Sequence, residues 1–317
     1  MVKVLPEDFK KFLKNNSGKK FAVACHSKPD VDAVASAFAI SRLFPGSVIV
    51  TPDEMNKGAT LLCEKLNIKT QLIKKITRAS FDGLIVTDVS NYTLLPEARE
   101  WHVVAVFDHH QAEGRDMKAD NYFVDSGSPS TAELIATLLE NKFDSDVAFA
   151  LCCAIIADGA RFKSARVNTF ATLARLMEIA GGSYSEMLGY AEPEFDSDVK
   201  IAVLKAMQRV KFVYSAGYVV ATSEVGMSES DSASLISEAA DVAFVANWKD
   251  AEKETRISAR ARKNVIVPLH EVMAAVAKEV GGAGGGHAKA AGASLKCHSD
   301  VALAKCVEVF VRKAEGI

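Results

Sequence analysis

The chain has 317 residues, more than one compact core usually holds, so two domains are expected. Hydrophobic residues make up 49% and charged residues 25%, ordinary values for a soluble globular enzyme. The formal net charge of −2 excludes an overall basic field able to hold long nucleic acid, so a nucleic-acid substrate would need a local basic patch or would have to be short.

Pro6 to Asn16 reads as an amphipathic helix with Phe9, Phe12 and Leu13 on one side. Phe21 to Cys25 is a first buried strand, and a helix runs from Ala33 to Leu43. The turn between them holds His26, Asp30 and Asp32, with Pro29 fixing the backbone. Helix capping alone would explain Asp30, but it leaves His26 and Asp32 unexplained. A strand at Ser47–Val50 and a helix at Ala59–Leu66 follow. The apolar run Gly83–Thr87 then ends at Asp88, and Val103–Phe107 ends at Asp108-His109-His110. Such β-branched runs read as strands buried on both faces of a parallel sheet. Packing gives them no reason to end in acids and imidazoles, whereas the carboxyl edge of an open α/β sheet is where ligands bind.

Tyr122–Val124 is a short edge strand. In Ser126–Thr131 the last two hydroxyls are placed to cap a helix over Ala132–Glu140. A helix N-terminus of that kind also suits phosphate, but capping is the preferred reading. The apolar helix 146–157 ends at Asp158, where the helix dipole disfavours an acid. A helix over 165–180 stops at Gly181-Gly182, and the polar stretch Ser183–Asp198 reads as a domain junction. A connecting helix spans about Asp198–Val210. The second half has strands at 217–223, 241–248 and 254–262, a helix at 231–239, and a βα-like end with the run Gly281 to Gly286 before His287.

The six cysteines form no CxxC pair and read as small buried residues, which suggests reduced thiols and the cytoplasm. The first twenty residues lack a signal-peptide core, and the longest apolar run, Val147–Ala157, is too short to span a bilayer, so no membrane partner is expected. His102, His270 and His298 are isolated and read as structural, and Trp101 and Trp248 read as packing residues.

His26, Asp30, Asp32, Asp88, Asp108, His109, His110 and Asp158 are carboxylates and imidazoles with no thiolate among them. That set suits hard-to-borderline divalent ions, Mn²⁺ or Mg²⁺, rather than structural zinc. Two ions about 3.5–4 Å apart with a bridging carboxylate activate water for in-line attack on a phosphate ester or anhydride.

His26-x3-Asp30-x-Asp32, Asp88, Asp108-His109-His110 and Asp158 resemble the four motifs of the DHH phosphoesterase superfamily. Gly284-Gly285-Gly286-His287 resembles the GGGH signature of its DHH-associated C-terminal domain, as in RecJ-like exonucleases, nanoRNases and cyclic-dinucleotide phosphodiesterases. The resemblance implies an α/β fold: a mostly parallel catalytic domain over 1–190, a linker helix over 191–211, a smaller mixed substrate-binding domain over 212–317, and a cleft between the domains. It implies two divalent cations, Mn²⁺ foremost with Mg²⁺ as the alternative. One would be held by His26, Asp30 and Asp88, the other by Asp32, Asp88, His109 and Asp158. Asp108 would orient a histidine and His110 would face the substrate phosphate. Arg256, Arg260 and Arg262 alternate along one strand and so face one side; by the resemblance Arg260 would clamp phosphate, with Arg262 beside it, and the turn Gly284–Gly286 with His287 would approach it closely. A solvated arginine face and a flexible glycine turn are the bland alternatives.

After Asp158 the family commonly has threonine, and this chain has Gly159, which weakens any substrate role assigned there. The expected activity is hydrolysis of phosphodiester bonds in short oligonucleotides, from one end. Its rivals are hydrolysis of a small phosphate compound (a cyclic dinucleotide, a 3′-phosphoadenosine nucleotide or polyphosphate) and a non-catalytic nucleic-acid-binding subunit. The sequence accommodates a homodimer without fixing the oligomeric state.

Overall fold

In the computed structural model, residues 6–111, 114–140, 143–159, 162 and 164–316 are described. The chain divides into two compact units, Met1–Glu194 and Phe195–Ile317, each built on a six-stranded sheet. Among the described residues no helix is long and apolar enough to cross a membrane.

The first unit runs α1 (Pro6–Asn15), β1 (Phe21–Ala24), α2 (Val31–Ser41), β2 (Val48–Thr51), α3 (Lys57–Lys65), β3 (Thr70–Leu72), β4 (Gly83–Thr87), β5 (Val103–Asp108) and β6 (Asn121–Val124). Four helices follow: α4 (Thr131–Leu139), α5 (Ser145–Asp158), α6 (Val167–Ala180) and α7 (Tyr184–Ala191). The strand order is β3-β2-β1-β4-β5-β6, and every pairing is parallel. From β1 the chain winds outward through β2 to β3, then crosses back to β4 and winds the other way. The order reverses between β1 and β4, which opens a crevice at their carboxyl ends. His26 and Asp88 lie just past those two ends.

The alternation of each strand separates two cores. Phe21, Val23 and Cys25 pack with the helices, whereas Ala22, Ala24, Leu84 and Val86 face the opposite layer with Leu95 and Met117. Helix α5 is apolar all round because α2, α4, α6 and α7 surround it, and Val147 to Ile156 are buried without a break. The polar stretch read as a junction holds the boundary between the units, at Glu194 and Phe195, but it is not all linker. It contains α7, whose Met187 is fully buried and whose Tyr190 meets Phe149 edge-on at 5.6 Å.

The second unit runs α8 (Ser197–Gln208), β7 (Lys211–Ser215), β8 (Tyr218–Glu224), α9 (Glu229–Ile236), β9 (Val242–Lys249), β10 (Glu254–Ala261), α10 (Leu269–Val280), β11 (Gly282–Gly286), β12 (Ala290–Leu295) and α11 (Ser299–Ala314). Its order is β11-β12-β10-β9-β8-β7, mixed in direction, with only β8 and β9 parallel. Helices α8 and α9 cover one face, and α10 and α11 cover the other.

Two expectations in this unit are corrected. The glycine run is an edge strand, not a turn: β11 pairs along its whole length with β12. Its glycines admit close packing, since a Cβ on Gly284 would lie 2.4 Å from the carbonyl oxygen of Met273 on α10. Arg262 lies beyond the end of β10 and donates to the Glu238 carbonyl at 2.7 Å, so it does not share the strand face of Arg256 and Arg260.

Candidate metal centre

The crevice gathers residues from five elements of the first unit. His26 follows β1, and Asp30 caps α2 by accepting from Ala33 N at 3.0 Å. Asp32 lies in the first turn of α2, where it is completely buried. Asp88 follows β4 in the left-handed region (φ 64°), which aspartate tolerates better than most residues. Asp108 ends β5 with His109 and His110 after it, and Asp158 is the last residue of α5.

Three sets of potential ligand atoms each lie within 4.8 Å of one another: His26, Asp30 and Asp88; Asp32, His109 and Asp158; Asp88, His109 and His110. Asp88 connects them. Its Oδ2 lies 3.4 Å from His26 Nε2, and its Oδ1 lies 3.5 Å from His109 Nε2. His109 Nε2 is also 3.2 Å from Asp158 Oδ2. Both imidazoles are tied at the other nitrogen to a backbone carbonyl: His26 Nδ1 to Ser27 O at 2.7 Å, and His109 Nδ1 to Ser128 O at 3.2 Å. That arrangement turns both Nε2 atoms toward the carboxylates, as second-layer partners do for metal-binding histidines.

Further contacts to these carboxylates come from the start of α4. Thr131 N and Ala132 N donate to Asp32 at 2.7 and 2.8 Å, and the Thr131 hydroxyl donates to Asp88 Oδ1 at 2.8 Å. Ser130 caps the helix as expected, accepting from Glu133 N at 3.0 Å. The free amides of that helix N-terminus, which the sequence also suited to phosphate, thus hold the protein's own carboxylate.

Electrostatics matches a cation site. Burial lowers the His26 imidazole, but Asp30 and Asp88 outweigh it and raise it to about 11. Burial likewise opposes the raising of His109, which Asp158, Asp32 and Asp88 bring to about 10. Burial and the neighbouring charges of Asp88 and Asp158 push Asp32 well above the usual carboxylate range. Asp158 is raised mainly by burial, against its hydrogen bond to His109. Carboxylates crowded together by the fold hold protons where positive charge is wanted. A donor set of oxygen and imidazole nitrogen with that excess of negative charge fits divalent metal.

Asp108 and His110 form a separate pair. Their Oδ1···Nδ1 distance is 2.7 Å, and His110 N donates to the same oxygen at 3.2 Å. This hydrogen bond, against burial, raises the His110 pKa above its ordinary value, while its side chain stays 56% exposed.

The second unit holds the other expected residues. Arg260 donates to Ser230 Oγ at 2.7 Å, Ser258 Oγ at 3.3 Å and its neighbour's carbonyl, Ala259 O, at 3.0 Å. Arg260 pairs with Ala290 on β12, and His287 N donates to Ala290 O at 2.8 Å, so Arg260, Gly286 and exposed His287 share one end of this sheet. Gly284 points toward α10, so Gly285, next in the strand, points to the opposite face, where no atom lies within 4 Å of a Cβ built on it. Of the residues read as structural, His102 pairs with Asp120 at 2.8 Å, Trp248 stacks on His298 at 4.0 Å and Trp101 packs against Phe81, whereas the buried Nδ1 of His270 has no hydrogen-bond partner among the described residues.

Known proteins share this fold. Residues 20–155 match the DHH family, N-terminal domain, and residues 215–315 match the DHHA1 domain. The uncharacterized protein MJ0988 of Methanocaldococcus jannaschii is 31% identical over 285 residues, covering 84% of each chain. An exopolyphosphatase-related protein from Bacteroides fragilis superposes with a TM-score of 0.79 at 14% identity, covering 98% of this chain and 96% of that one. Exonuclease RecJ bound to manganese superposes with a TM-score of 0.51 at 13% identity, covering 98% and 94%. The chain belongs to the DHH family of phosphoesterases, hydrolases of phosphoester or phosphoanhydride bonds, and carries the DHHA1 domain after the DHH domain.

Proposed function

We propose that the chain is a metal-dependent phosphodiesterase that hydrolyses short oligonucleotides from one end. The observation that carries this reading is the placement of Asp88, whose two oxygens face His26 and His109, members of different ligand sets. Two divalent cations, Mn²⁺ foremost and Mg²⁺ as the alternative, held by His26, Asp30 and Asp88 and by Asp32, Asp88, His109 and Asp158, would supply Lewis acidity to an attacking water and to the phosphoryl oxygens.

The chain's own residues divide the remaining work. Asp108 fixes the His110 ring through Nδ1 and favours its protonated form, whose exposed Nε2–H would donate to the substrate phosphate or to the leaving oxygen. In the second unit, Arg260 donates to a phosphate from the sheet face that Gly285 leaves bare, with Gly284, Gly286 and His287 framing the strand end. Arg262, bonded to Glu238 O, adds positive charge beside that end. The modest net charge of −2 favours short substrates over long polyanions.

The test is a panel with Mn²⁺: end-labelled dinucleotides, long RNA and DNA, cyclic dinucleotides, a 3′-phosphoadenosine nucleotide and polyphosphate. The expected result is fastest turnover on the dinucleotide. Equal rates on dinucleotide and long strand, or turnover confined to a cyclic dinucleotide, the mononucleotide or polyphosphate, would replace this substrate with another.

A further inference from the structure

We infer that Arg166 is a positioning residue that staples the loop supporting the metal ligands, an inference that rests on the metal-centre reading above. Arg166 touches none of the ligands. Its Nε donates to Glu133 Oε1 at 2.9 Å, and Nη1 and Nη2 both reach Asp125 Oδ2 at 3.3 Å. Asp125 and Glu133 stand at the two ends of one short segment. Between them lie Ser128, whose carbonyl orients His109; Thr131, which holds Asp32 and Asp88; and Ala132, which holds Asp32.

Glu133 carries the argument. Ser130-x-x-Glu133 is a capping-box spacing, in which the glutamate would reach back to the cap residue's own amide. Here Glu133 is 1% exposed and its Oε1 turns to Arg166, while its Oε2 has no hydrogen-bond partner among the described residues. Burying a carboxylate this deeply is costly unless it is paired, and the cation it meets is Arg166 at 2.9 Å. Arg166 is itself fixed at the start of α6, where its amide donates to Thr169 Oγ1 at 3.1 Å. Asp125 completes the link to the sheet, since its amide donates to Asp108 O at 3.1 Å. A planar fork suits a bridge between two carboxylates, which a single ammonium spans less well.

The test compares full-length wild type with Arg166→Met and Arg166→Lys. In metal-free protein, Arg166→Met is expected to speed amide hydrogen exchange at Thr131 and Ala132 by about tenfold or more. Exchange at Val23 and Ile85 in the central strands stays unchanged, and Arg166→Lys falls between. With Mn²⁺ added, the dissociation constant rises about 10–100-fold in Arg166→Met. Unchanged exchange at Thr131 and Ala132, or an equal loss of protection at Val23 and Ile85, would overturn the staple. Should Arg166→Met not fold, Arg166→Lys carries the same comparison. Wild type that takes up no Mn²⁺ would instead refute the metal reading, which the exchange measurement does not use.

Discussion

The hydroxyl of Thr131 donates to Oδ1 of Asp88 over 2.8 Å, joining the start of α4 to the carboxylate at the centre of the site. Both residues are buried, so removing the hydroxyl takes from that carboxylate oxygen its close hydrogen-bond donor and leaves it only the His109 imidazole at 3.5 Å and that of His110 at 4.0 Å. Thr131→Val should cost about 1–3 kcal/mol in chemical unfolding and weaken Mn²⁺ binding about 10–100-fold, and Thr131→Ser should recover most of both. Equal behaviour of the valine and serine variants would remove the hydroxyl from the account.

Asp88→Asn keeps a residue that tolerates the left-handed backbone at φ 64° and deletes the charge. Turnover should fall by at least about a hundredfold, the upper end of what removing one supporting partner costs. Metal-free stability should change little, because Asp88 repels Asp32 and Asp158 but attracts the imidazoles of His26 and His109. A variant that keeps wild-type turnover would contradict a bridging role. Steady-state rates and urea midpoints in chelator decide it.

The pH dependence follows from the same charges. His26 and His109, raised to about 11 and about 10, bind protons more tightly folded than unfolded. Their contribution is complete below the unfolded value of about 6.5 and is lost as pH rises toward 10–11. The raised Asp32 and Asp158 act in the same direction from about pH 4 upward, since the folded state again holds the extra protons. Chelator-treated protein should therefore melt at a lower temperature at pH 9 than at pH 7. Mn²⁺ must displace those protons, so its affinity should increase over that interval. Melting curves and Mn²⁺ titrations at the two pH values check both signs.

Two neighbouring glycines should separate packing from ligand access. Gly284→Ala drives a Cβ to 2.4 Å from Met273 O and should cost about 1–3 kcal/mol. Gly285→Ala meets no atom within 4 Å and should leave the unfolding midpoint unchanged. On the proposed substrate face it should raise KM for a dinucleotide while kcat is held. A Gly285→Ala enzyme with wild-type KM would take that strand out of substrate binding.

The strands that build the crevice were legible because runs such as Phe21–Cys25 and Val103–Phe107 are apolar on both faces, and packing does not explain the acids and histidines at their ends. The convergence of His26, Asp88 and His109 followed from strand ends sharing one edge, and Asp158 stood out as an acid at a helix end where the dipole disfavours it. Edge strands were harder to read. Thr70–Leu72 and Lys211–Ser215 are largely exposed and need no apolar run, and Gly282–Gly286 carries no β propensity of its own. Helix α7 was hidden by its polar surface, which leaves Met187 as its one fully buried anchor. The supports at Ser128, Thr131 and Ala132 act largely through backbone carbonyl and amide groups, which every residue type carries. Arg166 gave no motif at all, and only its bonds to Asp125 and Glu133 reveal it.

The most direct measurement is anomalous diffraction at the manganese edge from crystals soaked in Mn²⁺, for wild type and Asp88→Asn. The account requires two peaks per chain in the wild type, one beside His26 and Asp30 and one beside Asp32, His109 and Asp158, with Asp88 between them, and at least one peak lost in the variant. A wild-type map with no peak at these residues, or two peaks that persist at full strength in Asp88→Asn, would contradict it.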